Sequence, residues 1–421
     1  MNIHATPTKL TPAEIALVDA FAERISDLPG DATVTVQRDE AIERLKAGLP
    51  TRRIEAWHYT DLRRLLSIVP AFDSTAQAQG VAPLIEGSQL LRVLNGVADS
   101  IPSIESVRVE RFHDVLQTGS GMSLAPVEHA DAVGAINTAF ASDGFALTID
   151  ADATLDTPIE FQNVQAGGQV HARFSVDAGS GSKAVVVERQ LGTGDALASS
   201  VSTLTVGDGS DIVWIILQEQ PTGATHLGQI NVTLGKDSRL TLFVMNIGAK
   251  LVRQEVRVDA AGEGADFKLR GINLLGGDTH CDVTMVLDHS APHTTSTEVI
   301  RNVVTDRAHG VFQGQIRVAA IAQKTDAKMA CNTLLLSDDA EFSTKPELEI
   351  FADDVACGHG ATVTEIDGNH LFYLMARGIE EKIARGLLVK AFVAEIIEEM
   401  DDEVIVEALE ARLDGWFAEH G

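Results

Sequence analysis

The sequence predicts a mainly β chain: a β-helix core over residues 145–365, a mainly helical region before it over 1–144, and a helical domain after it over 366–421. Three observations carry this. Turns of the form Gly-x-x-Ser or Gly-x-x-Ala open at Gly179, Gly207, Gly235 and Gly262, at intervals of 28, 28 and 27 residues, and each leads into an apolar strand. A fixed period of this size signals stacked coils, each able to bury its apolar face only against its neighbours. Aromatic residues are scarce, at 5%, while glycines number 35, which suits a body made of small repeated turns.

The first helix is written in its cap. Thr11-Pro12-Ala13-Glu14 offers a cap residue, proline at the first helical position and glutamate three residues after the cap. Leu17, Val18, Phe21, Ile25 and Leu28 then fall on one face. A second helix is expected from a cap at Asp39 through Ile42 and Leu45, stopping near Gly48 and Pro50. Residues 73–83 read as a loop, and 84–145 are mixed.

From about residue 145, short runs of Val, Ile, Leu and Thr alternate with Gly/Asp/Ser turns. In Asp266–Leu269, apolar Phe267 and Leu269 alternate with Asp266 and Lys268, the inward/outward period of a strand. The small fourth turn residue fits a tight corner, and the glycine is read as supplying backbone freedom. Gly207 and Gly235 are expected at equivalent corners of successive coils. A sandwich of evenly spaced hairpins is the competing fold, but it would show more Asn-Gly or Asp-Gly pairs between strands. Beyond the repeat, Asn369–Met375 is helical and stops at Arg377-Gly378. Ile383, Leu387, Leu388, Ala391, Phe392, Ile396 and Ile397 line the next helix, and Leu409, Leu413, Trp416 and Phe417 a last one. The acidic run Glu398–Glu403 between them reads as a solvated turn and cap.

Composition narrows the function. Net charge is −28, from 33 Lys+Arg against 61 Asp+Glu. A field of that sign repels phosphate backbones and anionic lipid heads, so neither nucleic acid nor a membrane is an expected partner. Three cysteines, Cys281, Cys331 and Cys357, make no disulfide framework. The first ten residues hold no apolar signal core, and no stretch is apolar enough to span a bilayer. A reducing, cytoplasmic location is expected.

The motifs of common enzymes are missing: no phosphate-binding Gly-x-x-x-x-Gly-Lys-Ser/Thr, no Cys-x-x-Cys, no His-Glu-x-x-His and no Gly-x-Ser-x-Gly. One segment holds candidate chemistry. In Asp353-Asp354-Val355-Ala356-Cys357-Gly358-His359-Gly360-Ala361-Thr362, Cys357 and His359 are two apart and share a side of an extended strand. Thiolate and imidazole suit iron, and Gly358 and Gly360 permit close approach. On these residues alone a bland reading competes: a small buried cysteine and a satisfied core histidine, since two ligands do not close a site. His280-Cys281 face opposite sides of a strand, Cys331 reads as a buried small hydrophobe, and Asp353-Asp354 reads as a turn.

Several segments together resemble the SufB/SufD family of iron–sulfur cluster assembly proteins. They are Lys324-Thr325-Asp326-Ala327, Leu334–Ser337, Lys345–Ile350, Asp353–Val355, Cys357–Thr362, Leu371–Leu374 and Ala376–Ile379. The match is dense from about 310 to 400 and diffuse earlier. The patch Arg53–Leu62, with Glu55, Trp57 and Tyr59, resembles the amino-terminal stretch of the SufD branch. The SufB branch typically carries Glu-His-Glu-Ala-Thr where this chain has Cys357–Thr362.

The resemblance implies a right-handed parallel β-helix between helical regions, and a scaffold subunit with no catalysis of its own. It implies pairing with a SufB homologue through the β-helix and binding of a SufC ATPase homologue through the carboxy-terminal helices, in the region of Phe372, Tyr373, Arg377 and Gly378. No cofactor is expected to be tightly bound. A nascent cluster or iron would be held transiently at the SufB interface by His359, with Cys357 beside it. A homodimer is expected as an option for the isolated chain. The SufB branch has a functional cysteine at the place of Cys331, which the SufD branch commonly lacks. Two other readings compete: a SufB-like scaffold, and a carbohydrate-active β-helix enzyme, which would need more aromatics and, usually, export.

Overall fold

The computed structural model describes residues 9–118, 124 and 130–420. Its centre is a parallel β-solenoid of about eight turns built from two sheets. Chain order gives β1 (Gln89–Leu94), β2 (Val97–Ala98), β3 (Val107–Arg111), β4 (Asp143–Ile149), β5 (Ile159–Gln165), β6 (Gly168–Ala178), β7 (Lys183–Gly192), β8 (Ala196–Val206), β9 (Asp211–Gln218) and β10 (Thr225–Leu234). There follow β11 (Arg239–Asn246), β12 (Leu251–Ala260), β13 (Asp266–Leu275), β14 (His280–His289), β15 (Thr295–Val304), β16 (His309–Val318), β17 (Asp326–Leu335), β18 (Glu341–Ile350) and β19 (Ala356–Thr364). One sheet has the order β19-β17-β15-β13-β11-β9-β7-β5-β1-β2, and the other β18-β16-β14-β12-β10-β8-β6-β4-β3. Among the described strands, the named pairings are parallel except β1 with β2 and β3 with β4, at the amino-terminal end. Strand β1 already pairs with β5, so the solenoid begins ahead of the compositional change near residue 145.

The turn repeat builds one corner. The amides of Gly207, Gly235 and Gly262 donate to the carbonyls of Ala178, Val206 and Leu234 in the preceding coils, at 2.9, 2.8 and 2.9 Å. Gly207 and Gly235 therefore occupy equivalent corners. The reason for glycine is not the expected backbone freedom. Left-handed φ belongs to the third residue of the turn: Gly181, Gly209, Asp237 and Gly264, then His293 and Lys324 in later coils. The first residue is glycine because the preceding coil passes too close for a side chain. A Cβ on Gly262 would sit 2.1 Å from the Gly235 carbonyl carbon. The fourth residue must be small, and Ser182, Ser210, Ser238 and Ala265 are all buried. Asp353-Asp354 lies in the same series as the corner between β18 and β19, where Lys324 pairs with Asp354.

Inside the coils, apolar rows from both sheets form one continuous core. A polar row runs beside them: Asn246 donates to Asn273 at 2.7 Å, Asn273 to Asn302 at 2.7 Å, and Asn302 to Thr333 at 3.0 Å. Each buried amide thereby finds a partner in the next coil.

Helices cover both outer faces. The amino-terminal set is α1 (Pro12–Arg24), α2 (Ala32–Lys46), a 3-10 turn (Glu55–Trp57), α3 (Leu62–Leu65), α4 (Phe112–Thr118) and α5 (Ala132–Phe140). Leu17, Ile42, Trp57 and Ile136 pack with Leu197, Val201, Leu227 and Leu251 of the second sheet. Helix α1 has the full capping box at Thr11 and Glu14. Helix α2 begins earlier than expected: Asp31, not Asp39, is its cap, accepting from the Val34 amide at 2.9 Å. The β-branched run Thr33–Val36 hides this start, and packing of Val34 and Arg38 overrides its weak helical preference. The carboxy-terminal set is α6 (Gly368–Met375), α7 (Glu381–Ile397) and α8 (Glu403–His420). Val389, Val393, Ile396, Leu409 and Leu413 bury against Ile215, Phe243, Ile272 and Val303 on the outer face of the first sheet. Asp402 caps α8 through the amides of Val404 and Ile405, at 2.9 and 3.2 Å. No helix among the described residues is long and apolar enough to cross a membrane.

Candidate functional site

Among the described residues no strand follows the last coil of the solenoid. β18 and β19 are the last strands of their sheets, and each is paired on one side only. Along both, exposure rises sharply: every residue of β18 and β19 is partly or fully exposed. Ile350, Phe351 and Val363 are among the exposed apolar side chains there. An uncovered strand edge presents unpaired amides and carbonyls, a ready template for another chain.

The Cys-x-His segment lies in β19. In parallel register Cys357 stands beside Ala327, His359 beside Met329 and Ala361 beside Cys331. Ala327, Met329 and Cys331 are interior residues, so Cys357 and His359 share the interior-facing side of the last rung. Cys357 is half-buried and packs on the core; His359 is exposed at the open end. The structure thus separates the two bland readings: Cys357 keeps a packing role, and His359 is no core histidine. Burial raises the Cys357 thiol above its ordinary range, with the charges of Asp326 and Glu298 adding to it and the Ala327 backbone opposing. No group of three His, Cys, Asp or Glu stands close enough to hold a metal ion among the described residues. A Cβ on Gly358 or Gly360 would meet nothing within 4 Å, so this edge is open to a close neighbour.

The other two cysteines are buried. Cys331 is buried, takes a hydrogen bond from Asn302 Nδ2 at 3.4 Å, and burial pushes its thiol up to about 11. Cys281 faces the core, and its thiol too is raised by burial. His280 faces the other way, with Nε2 2.9 Å from Thr60 Oγ1.

The second candidate surface is α6. None of its residues is buried; Phe372 is 72% exposed and Tyr373 56%. Arg377 stacks over the Tyr373 ring at 4.5 Å, and Gly378, at φ +87°, ends the helix. Ile383 and Leu387 of α7 are also exposed, beside a groove of about 550 Å³ lined by Leu336, Trp416 and Phe417. Most other apolar residues of α7 and α8 pack on the first sheet.

Sequence reasoning missed two features. One is the buried network that ties the Arg53–Leu62 patch to the second sheet. Arg253 lies 4.3 Å from the Trp57 ring centroid and bonds Asp282 at 2.6 Å, Glu255 at 3.1 Å and the Ala56 carbonyl at 3.0 Å. The other is Glu298, fully buried in β15, whose carboxyl has Ser296 and the charge of Arg270 as its polar neighbours. Burial pushes its carboxyl up to about 8. Its phase with Ser296 and Ile300, one coil after Leu269, was readable once the repeat had been extended.

Comparison with known proteins decides the family. The model of the SUF-system FeS cluster assembly SufBD core domain matches residues 161–392, which is more than half of the chain. The chain belongs to the SufBD family. Iron–sulfur cluster assembly by the SUF system is therefore its field of action. Among its relatives is the iron–sulfur cluster assembly protein SufD of Escherichia coli, 27% identical over 88% of this chain and 89% of the relative. A SufBD family protein of Synechocystis is 34% identical over 51% of this chain and 46% of its own length. The chloroplastic protein ABCI7 of Arabidopsis thaliana is 24% identical over 96% and 91%. The SufBD core match runs from β5 into α7, so it spans the Cys-x-His rung and the exposed helix α6.

Proposed function

We propose that this SufBD family member is a non-catalytic scaffold subunit of SufD type. In this reading it pairs with a SufB homologue through the open carboxy-terminal end of the solenoid, and a nascent cluster or iron is held between the two chains. His359 supplies a ligand from this side, with Cys357 behind it. A SufC ATPase homologue docks on α6, around Phe372, Tyr373, Arg377 and Gly378. The observation that carries the reading is His359: it lies on the interior-facing side of a coil yet is exposed, because no further coil follows. Fe ligation by imidazole and thiolate is chemically sound, and two donors leave positions for a partner to fill. The burial of Cys331, away from the open end, favours the SufD-type reading over a SufB-like one. The same uncovered edges would let two copies of the isolated chain pair.

The deciding experiment is reconstitution of the chain with SufB and SufC homologues, iron and a sulfide source. His359→Ala should leave complex assembly intact and lower the cluster yield. An assembled His359→Ala complex with the wild-type yield would sink the ligand role.

A further inference from the structure

The Arg53–Leu62 patch has no part in the Cys-x-His rung, yet its surroundings are unlike the rest of the chain. Residues 52–64 hold Arg52, Arg53, Arg63 and Arg64 against Glu55 and Asp61, in a chain of net charge −28. The fold gathers them into one compact turn. The Arg63 amide donates to the Pro50 carbonyl at 3.1 Å and the Ile54 amide to the Thr51 carbonyl at 3.0 Å, while His58 Nδ1 lies 3.2 Å from the Arg52 carbonyl.

The acids near this turn are already committed. Glu55 pairs with Lys345 at 2.8 Å, and Asp61 accepts from the Arg64 amide at 3.1 Å. Glu14 of α1 takes Arg63 at 3.2 Å. Arg52, Arg53 and Arg64 are exposed, and among the described residues their side chains make no ion pair or hydrogen bond. A solvated face is the ordinary role of exposed charge. Here, however, the turn is held rigid from beneath: Trp57, Thr60 and Leu62 are buried, the Trp57 ring packs on Arg253, and Thr60 donates to Asp282. It is also placed beside the open end. The Ala56 carbonyl accepts from Gln313 Nε2 at 3.2 Å and Glu55 reaches Lys345. Gln313 and Lys345 are register partners on β16 and β18, the last two strands of the second sheet.

We propose that Arg52, Arg53 and Arg64 form a docking surface for an acidic segment of the chain that pairs at the open end. This rests on the reading of that end as a pairing edge, and it names the charge a partner must bring there. Guanidinium groups bind carboxylates through two parallel hydrogen bonds, and a preorganised turn lowers the ordering cost of docking. Ile54, exposed beside Arg53, adds an apolar contact. A long polyanion would run onto the acidic remainder of the surface. A short carboxylate-rich segment meets only the arginines, because charges beyond about 8 Å are screened at physiological ionic strength.

The test is binding of the full-length chain to a purified SufB homologue, followed by surface plasmon resonance over a range of salt, with thermal midpoints in parallel. The combined Arg52→Ala, Arg53→Ala and Arg64→Ala chain should melt as wild type does. At low salt it should bind at least about fivefold more weakly, mainly through a slower association rate, and the difference should close at high salt. Lysine at the same three positions keeps the charge and should retain most of the affinity. Wild-type affinity and salt dependence in the triple-alanine chain overturn the docking surface and leave pairing at the open end standing. A deficit that persists undiminished at high salt overturns it too, since charge is then not its cause. If the wild-type chain fails to pair at any salt, the pairing reading falls and the docking surface falls with it. Should the triple-alanine chain melt lower, Arg53→Glu alone replaces it under the same criteria.

Discussion

Met329 and His359 are register partners on the same face of neighbouring strands, yet Met329 is 3% exposed and His359 lies open. The difference is the missing next coil, not the side chain. His359 consequently contributes little to packing. His359→Ala is expected to change stability by less than about 0.5 kcal/mol, the scale of surface substitutions. Cys357→Ala removes partly buried packing and should cost about 1 kcal/mol. Paired measurement of urea midpoint and cluster yield separates the two: His359 should affect yield, Cys357 mainly the midpoint. A large stability loss in His359→Ala would contradict the exposed placement.

The corner supplies a second test. Gly262→Ala drives a Cβ to 2.1 Å from the backbone of the preceding coil, and backbone there cannot yield cheaply. A loss of about 1–3 kcal/mol is expected, as for overpacking. Gly209→Ala meets open space and is opposed only by φ +67°, which should cost about 1 kcal/mol. Chemical denaturation ranks the pair. A Gly209 variant less stable than the Gly262 variant would mean that φ, not coil spacing, governs the corner.

Arg253 offers a third. It is 1% exposed and joined to Asp282, Glu255 and the Trp57 ring. Removing one partner strands the remaining charges in a dry site, at a cost of about 3–5 kcal/mol. Arg253→Ala should also free the segment around Glu55–Leu62, raising its amide hydrogen exchange above that of α1. Unchanged exchange there would show that the hydrophobic contacts of Trp57 suffice.

Acid should destabilise the fold through interior histidines. Burial pushes His226 down to about 3, and His280 and His289 to about 4. In the unfolded chain these imidazoles protonate near pH 6.5. Between those values the unfolded state binds protons that the folded state refuses, so stability falls as pH falls from about 6.5 to 4. Each such histidine contributes a slope of up to about 1.4 kcal/mol per pH unit in that window. His226→Gln should flatten the dependence of the urea midpoint on pH. A slope identical to wild type would mean that His226 is not buried neutral.

Much of this fold was legible because its repeat is written in the turns. The period from Gly179 to Gly262 located the corners, and Thr11 with Glu14 located α1. Strands β5 to β12 were harder to delimit: helices cover much of their outer faces, so residues on both sides are buried, polar ones such as Glu160 and Arg253 included, and the alternation fades. Residues 84–145 hid β1 to β3 because those strands are short and lack the turn signature. At the site, spacing put Cys357 and His359 on one side of a strand, which β19 confirms. That this side is both interior-facing and uncovered depends on where the stack of coils ends, and no local pattern encodes that. Glu298 was invisible for a related reason: an acid in a strand reads as an outward residue until its register with Leu269 and Met329 is known.

The last expectation concerns α6. Phe372 and Tyr373 are exposed, and no residue of that helix is buried. The rest of the carboxy-terminal region is different: α7 and α8 cover Ile215, Phe243, Ile272 and Val303. Deleting everything from residue 366 would uncover that apolar face, so loss of partner binding in such a truncation would be uninformative. Phe372→Ala with Tyr373→Ala is the cleaner probe. It removes two exposed aromatic anchors, the residue class that dominates protein interfaces, and leaves the core untouched. The double variant should melt within a degree or two of wild type and lose at least about tenfold in affinity for a SufC ATPase homologue, since each buried aromatic anchor is commonly worth more than 1 kcal/mol. Titration calorimetry against the purified ATPase reads it directly. Full affinity in a folded double variant would move the ATPase contact away from α6, leaving the groove beside Ile383 and Leu387 as the next surface to probe.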